Sequence, residues 1–131
     1  MNINRPISPH ISIYKMELHT VLSGLHRVTG AALSVALCLF VILVKLFSFN
    51  VSSYTYYSIM YEINYYSGFI LLSIGFLLLA ATVYHLCTGI RHLVWDFWDE
   101  PYVYEIEGIN MSCYIILGFV SVITLSLWLI I

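Results

Sequence analysis

The chain has 131 residues, of which 61% are apolar and 9% charged; mean hydropathy is +0.92 and net charge is −2. A soluble domain of this length cannot hide so much apolar surface, so the solvent that suits this chain is a bilayer. The small net charge excludes a nucleic-acid surface or a polybasic lipid anchor. Cys38, Cys87 and Cys113 stand singly in apolar runs, with no CxxC pair, and read as small apolar fillers rather than a disulfide framework.

An N-terminal arm over residues 1–21 comes first. It carries Pro6 and Pro9 and no apolar run, so it is neither a signal peptide nor an arginine-rich transit peptide. Abundant Ile, Tyr, Phe and Asn suit an AT-rich genome and hint at a bacterial or organelle-encoded protein. Helices are expected over residues 22–49, 65–95 and 111–131, each long enough to cross about 30 Å of hydrocarbon. Residues 50–64, polar and tyrosine-rich, and 96–110, with Pro101, Gly108 and most of the acids, read as loops. Tyr65, Tyr66, Trp95, Trp98 and Trp128 suit interfacial belts. The expected fold is an all-α membrane protein, one domain of three transmembrane helices. Arg5, Lys15, Arg27 and Arg91 fall on one side and Lys45 on the other, so the N-terminus is expected to face the matrix or cytoplasm.

Helix 1 opens Ser23-Gly24-Leu25-His26-Arg27-Val28-Thr29-Gly30. At about 100° per residue, Arg27 falls about 40° from Ser23 and His26 about 60° the other way. Gly30 and Ser34 lie close to the same line. Such a face can hold a polar head group, with Ser and Arg donating to a carbonyl oxygen. Alternatively, Arg27 snorkels to the interface and Ser23 caps the helix.

Helix 2 closes with His85, Gly89, His92 and Asp96 at i, i+4, i+7 and i+11, which project within about 60° of one another. His85 lies about 15 Å inside the helix end. An imidazole at that depth either bonds a neighbouring helix or ligates iron. Gly89 would let a flat macrocycle approach the backbone, and Arg91 and His92, about 10 Å further along, suit its propionates. His26 and His92 are expected near the interface and His10 and His19 outside the membrane. None is level with His85, so if His85 ligates a six-coordinate haem, the second axial ligand should come from another chain.

These residues carry a resemblance. Arg5-Pro6-Ile7-Ser8-Pro9-His10 with Ser23-x-x-His26-Arg27-x-Thr29-Gly30, and His85-x-x-x-Gly89-x-Arg91-His92-Leu93-x-Trp95-Asp96, resemble the two signatures of the cytochrome b556 (large membrane-anchor) subunits of succinate dehydrogenase. One departure is Trp98, where family members often have a small residue. The resemblance implies one haem b, shared with a second small membrane-anchor subunit that supplies the other ligand. It also implies a flavoprotein and an iron–sulfur partner, a lipid bilayer, and ubiquinone as substrate. By motif, Ser23 and Arg27 would bond the quinone and His85 would ligate the haem. His26, Arg91 and His92 would lie near its propionates, and Gly30, Gly89 and Asp96 follow as lesser candidates. No succinate chemistry is expected on this chain itself.

The resemblance places the chain in a mitochondrial inner membrane or a bacterial inner membrane. Two alternatives stay open: an anchor of a quinol:fumarate reductase, and a structural anchor without haem. A small transporter is disfavoured, because the polar groups cluster on one side instead of lining a path across the bilayer.

Overall fold

A computed structural model describes residues 4–50, 53–97 and 105–130. Among these the regular elements are all helical: a short 3₁₀ turn, His10–Ser12, then α1 (Leu18–Asn50), α2 (Ser53–Phe97) and α3 (Ile106–Ile130). All three long helices are apolar enough to cross a membrane. Trp98, expected in an interfacial belt, lies outside the described residues.

Each helix begins earlier than hydropathy alone predicts. α1 starts at Leu18 because the Glu17 carbonyl accepts the Thr20 and Val21 N–H groups at 3.0 and 3.2 Å. The Glu17 carboxylate also sits at the positive end of the helix dipole. α3 starts at Ile106, where the Glu105 carbonyl accepts Ile109 N–H at 2.9 Å and Glu107 lies in the first turn. The largest difference is at α2. Residues 53–64, expected as loop, are helix. They contain neither Pro nor Gly, so nothing in the backbone stops the helix, and polarity alone does not.

At 1.5 Å per residue α3 is about 38 Å long, close to one bilayer, while α2 is about 68 Å. Trp128 near the end of α3 packs edge-on to Phe76, with ring centroids 5.3 Å apart. α2 therefore runs about twenty residues past the end of α3. There it keeps company with α1, through Phe47 against Tyr56 at 5.8 Å.

The small interior joins one residue from each helix: Leu22, Tyr84 and the fully enclosed Cys113, flanked by Leu18, Leu117 and Val120. The Tyr84 hydroxyl donates to the Leu22 carbonyl at 2.8 Å, tying α2 to α1. Otherwise the helices present apolar side chains outward. The accessible surface is 11211 Å², against about 7,000 Å² for a compact globule of this mass. In a bilayer such a surface faces hydrocarbon rather than water.

Replacing Tyr84 by Phe keeps the ring and removes the tie to α1. It should cost about 1 kcal/mol, read as a lower thermal midpoint of the detergent-solubilised protein. An unchanged midpoint would mean the bond contributes nothing net.

Candidate functional site

The polar residues of α1 and α2 meet one another. The His26 and His85 rings stack face to face, with centroids 4.0 Å apart and planes 4° from parallel. This corrects the expected difference in depth. α1 starts four residues early, which places His26 about 12 Å inside it, beside His85.

Three α1 groups hold the His85 ring. Its Nδ1 lies 3.0 Å from the His26 carbonyl oxygen and 3.4 Å from the Thr29 hydroxyl. A carbonyl only accepts, so Nδ1 carries the proton and Nε2 keeps its lone pair. Gly30 supplies the space: a Cβ there would lie 2.7 Å from His85 Cε1. The ring fits only because residue 30 has no side chain.

His26 is held from the other side. Its Nδ1 lies 2.6 Å from the Thr88 hydroxyl oxygen, whose own proton points to the Tyr84 carbonyl at 2.7 Å. The His26 N–H therefore donates to Thr88. Thr88 escaped the sequence reading, although a hydroxyl one turn beyond Tyr84 on the His85 helix was a signal.

Two cavities flank the stack. An open groove of about 380 Å³ is lined by His26, His85, Leu86, Gly89, Ile90, His92 and Leu93. A Cβ at Gly89 would make only an ordinary 3.6 Å contact with His26, so what Gly89 leaves clear is the groove. A second cavity, of about 320 Å³, lies among the starts of α1 and α3 and the end of α2. Its lining includes His19, Ser23, His26, Arg91, His92 and Asp96. His26 and His92 border both.

The remaining expected site residues divide. Ser23 faces the second cavity, whereas Arg27 is exposed and outside its lining. Arg91 turns toward α3: its Nε donates to the Ser112 hydroxyl at 3.1 Å and its guanidinium lies 4.2 Å over the Trp95 ring. His92 and Asp96 pair at 3.2 Å on the exposed surface. His19, expected in a loop outside the membrane, is half-buried on α1. Its i, i+4, i+7 spacing to Ser23 and His26 is the signal that was missed.

A ligand-bearing imidazole is the chemistry this arrangement supports. Metal-binding histidines commonly donate their second N–H to a backbone carbonyl, which fixes the tautomer. His85 has that bond already, and its open flank is the groove beside Gly89. His26 and His85 stand side by side with parallel rings rather than facing each other, so the two would not hold one metal between them. Nor does any cluster of three His, Cys, Asp or Glu side chains suited to a metal ion occur among the described residues.

Residues 1–127 match the family described as succinate dehydrogenase/fumarate reductase transmembrane subunit. The chain is similar to the succinate dehydrogenase cytochrome b560 subunit of Reclinomonas americana, 48% identical over 99% of this chain and 88% of that protein. It is 32% identical to the cytochrome b560 subunit of Marchantia polymorpha over 94% of this chain and 92% of that one. The cytochrome b556 subunit of Rickettsia felis is 35% identical, over 95% of this chain and 90% of its own length.

Replacing Thr88 by Val preserves shape and removes the acceptor for His26. The His26 proton should then redistribute toward Nε2, visible in the ¹⁵N shifts of histidine-labelled protein. Unaltered shifts would show that Thr88 does not set the tautomer.

Proposed function

The chain belongs to the succinate dehydrogenase/fumarate reductase transmembrane-subunit family, and on that premise we propose that it anchors a succinate:ubiquinone oxidoreductase, shares one haem b with a partner and helps bind the quinone. As a membrane-anchor subunit of succinate dehydrogenase it works in a bilayer and with the other subunits of that complex. Succinate is oxidised on a flavoprotein partner, and electrons reach the quinone through an iron–sulfur partner. The matched relatives are named for the succinate rather than the fumarate direction, which favours this reading over a fumarate reductase anchor.

The observation that carries the haem assignment is the His85 Nδ1–H bond to the His26 carbonyl at 3.0 Å, which leaves Nε2 with its lone pair, on a ring that lines the groove beside Gly89. Haem, when bound, supplies a one-electron iron centre. His85 would hold it, and His26, Arg91 and His92, which together line the second cavity, would stand near its carboxylates. The other group holding the haem would come from a second small membrane subunit.

Ser23 and Arg27, one turn apart on α1, would donate to a quinone carbonyl. Arg27 holds positive charge where the oxygen becomes negative on reduction, and it is exposed at the surface where a partner must complete the site. The quinone takes two electrons and two protons to become the quinol. Asp96, paired with His92, has an orienting rather than a reactive part. Arg5, Lys15, Arg27 and Arg91 gather toward one end of the bundle while Lys45 lies toward the other end of α1. That supports an N-terminus facing the matrix of a mitochondrion or the cytoplasm of a bacterium.

Replacing Arg27 by Leu should cut succinate–quinone reduction roughly tenfold or more, with succinate oxidation by an artificial dye retained. Equal rates for variant and parent would remove Arg27 from the quinone site. Replacing Gly30 by Ala should displace the His85 ring and shift the reduced-minus-oxidised haem spectrum, as should replacing His85 itself. A parental spectrum in both would rule out His85 as ligand.

A further inference from the structure

Arg91 sits about 9 Å inside the end of α2. A long cationic side chain so near a helix end ordinarily snorkels, running along the apolar surface to put its head in water. Here it is held back. The guanidinium lies 4.2 Å over the Trp95 ring, one turn further along the same helix. Its Nε donates at 3.1 Å to Ser112, in the second turn of α3. The Ser112 hydroxyl gives its own proton to the Ile109 carbonyl at 2.6 Å, so toward Arg91 the oxygen can only accept. The cation is pinched between an indole of α2 and a hydroxyl of α3.

Of the two restraints, Ser112 sets the depth. Trp95 shares a helix with Arg91 and lies on the way out, so its ring does not bar the path to the interface. Ser112 is anchored in another helix, and a hydrogen bond holds only over a narrow range of distance and angle. The consequence is electrostatic. Arg91 Nη2 is enclosed without a hydrogen-bond partner, and the acid on the cavity lining, Asp96, is paired with His92. Among the described residues the guanidinium therefore keeps its full charge. In a low-dielectric bundle such a charge acts at a distance without contact, whereas in water it is screened. A cation held there favours the reduced state of a nearby one-electron centre, because reduction adds negative charge.

We propose that Ser112 is a positioning residue: by accepting the Arg91 Nε–H it keeps the cation inside the bundle, near the haem carboxylates, and so holds the haem at a higher reduction potential than a snorkelling arginine would. This rests on the haem reading above, and it gives α3 a part in tuning a group that α1 and α2 hold.

The test uses the whole detergent-solubilised complex. The reduced-minus-oxidised b-type spectrum is titrated against ambient potential, and the reaction of Arg91 with phenylglyoxal is followed by mass spectrometry of the same samples. Ser112→Ala should move the midpoint to lower potential and speed the modification of Arg91 about fivefold or more, the worth of one hydrogen bond. Ser112→Thr keeps the hydroxyl and should restore both readings. Ser112→Cys keeps the bulk with a weaker acceptor, and serves if the alanine variant fails to assemble. Ser121→Ala removes an α3 hydroxyl that bonds its own helix, at Leu117, and should leave both readings parental. On an Arg91→Gln background, Ser112→Ala should add no further shift; an additional shift would mean that Ser112 acts by another route and would overturn the proposal. A parental midpoint with a protected Arg91 in Ser112→Ala would overturn it too, because Ser112 would then not hold the arginine. A reactive Arg91 with a parental midpoint would overturn it differently: the clamp would stand and the placing of Arg91 near the haem would fall. Failure of the haem reading itself would show separately, as a parental spectrum on replacing His85.

Discussion

The contact between His85 and the α1 backbone is the constraint around which the bundle is arranged. An imidazole this far inside an apolar helix must satisfy its N–H within the protein. The acceptor is the His26 carbonyl, 3.0 Å away, and reaching it brings the ring into the space above Gly30. α1 and α2 can approach this closely because of that glycine. The His26 ring then has one place to go, flat against His85, where Thr88 receives its proton. One turn further on, the Tyr84 hydroxyl repeats the arrangement by donating to the Leu22 carbonyl. Two side chains of α2 thus read two backbone carbonyls of α1, which fixes the register of the pair.

The third helix has a different part. α3 touches α2 through Cys113, through Trp128 against Phe76, and through Ser112 beneath Arg91. None of these contacts reaches the His26–His85 stack. α3 instead closes the cavity at the end of the bundle and leaves the groove beside Gly89 uncovered. The chain thus offers one flank, already polarised by a fixed tautomer, to whatever packs there.

Much of this was legible in the sequence. Three apolar runs sufficed for the fold class, and the signatures around Ser23–Gly30 and His85–Asp96, with the arm run Arg5–His10, for the family resemblance. What escaped was depth and contact. Hydropathy marks where a helix enters lipid, not where its first hydrogen bond forms, so Leu18, Ser53 and Ile106 were each placed too late. The late start of α1 left His26 too shallow and His19 in a loop. Thr88 and Ser112 were unreadable for another reason. A hydroxyl in an apolar helix usually bonds its own backbone, as Thr82 and Ser121 do, and a second partner on another helix shows only in three dimensions. Angular bookkeeping on one helix put Ser23 and Arg27 on a common face, yet only Ser23 lines the cavity, because a helical wheel does not say which side the neighbours occupy.

The grouping of His26, Thr29 and Gly30 at i, i+3 and i+4 also governs how such a chain can change length over evolution. A carbonyl, a hydroxyl and an empty Cβ position address one ring only while they keep their helical phase. A single inserted residue between 26 and 30 would swing the later members by about 100° and slide them about 1.5 Å. That puts a side chain where the gap was. Insertions and deletions should therefore be purged from this turn, while the arm before Leu18, which takes no part in that phase, is free to lengthen or shorten among relatives.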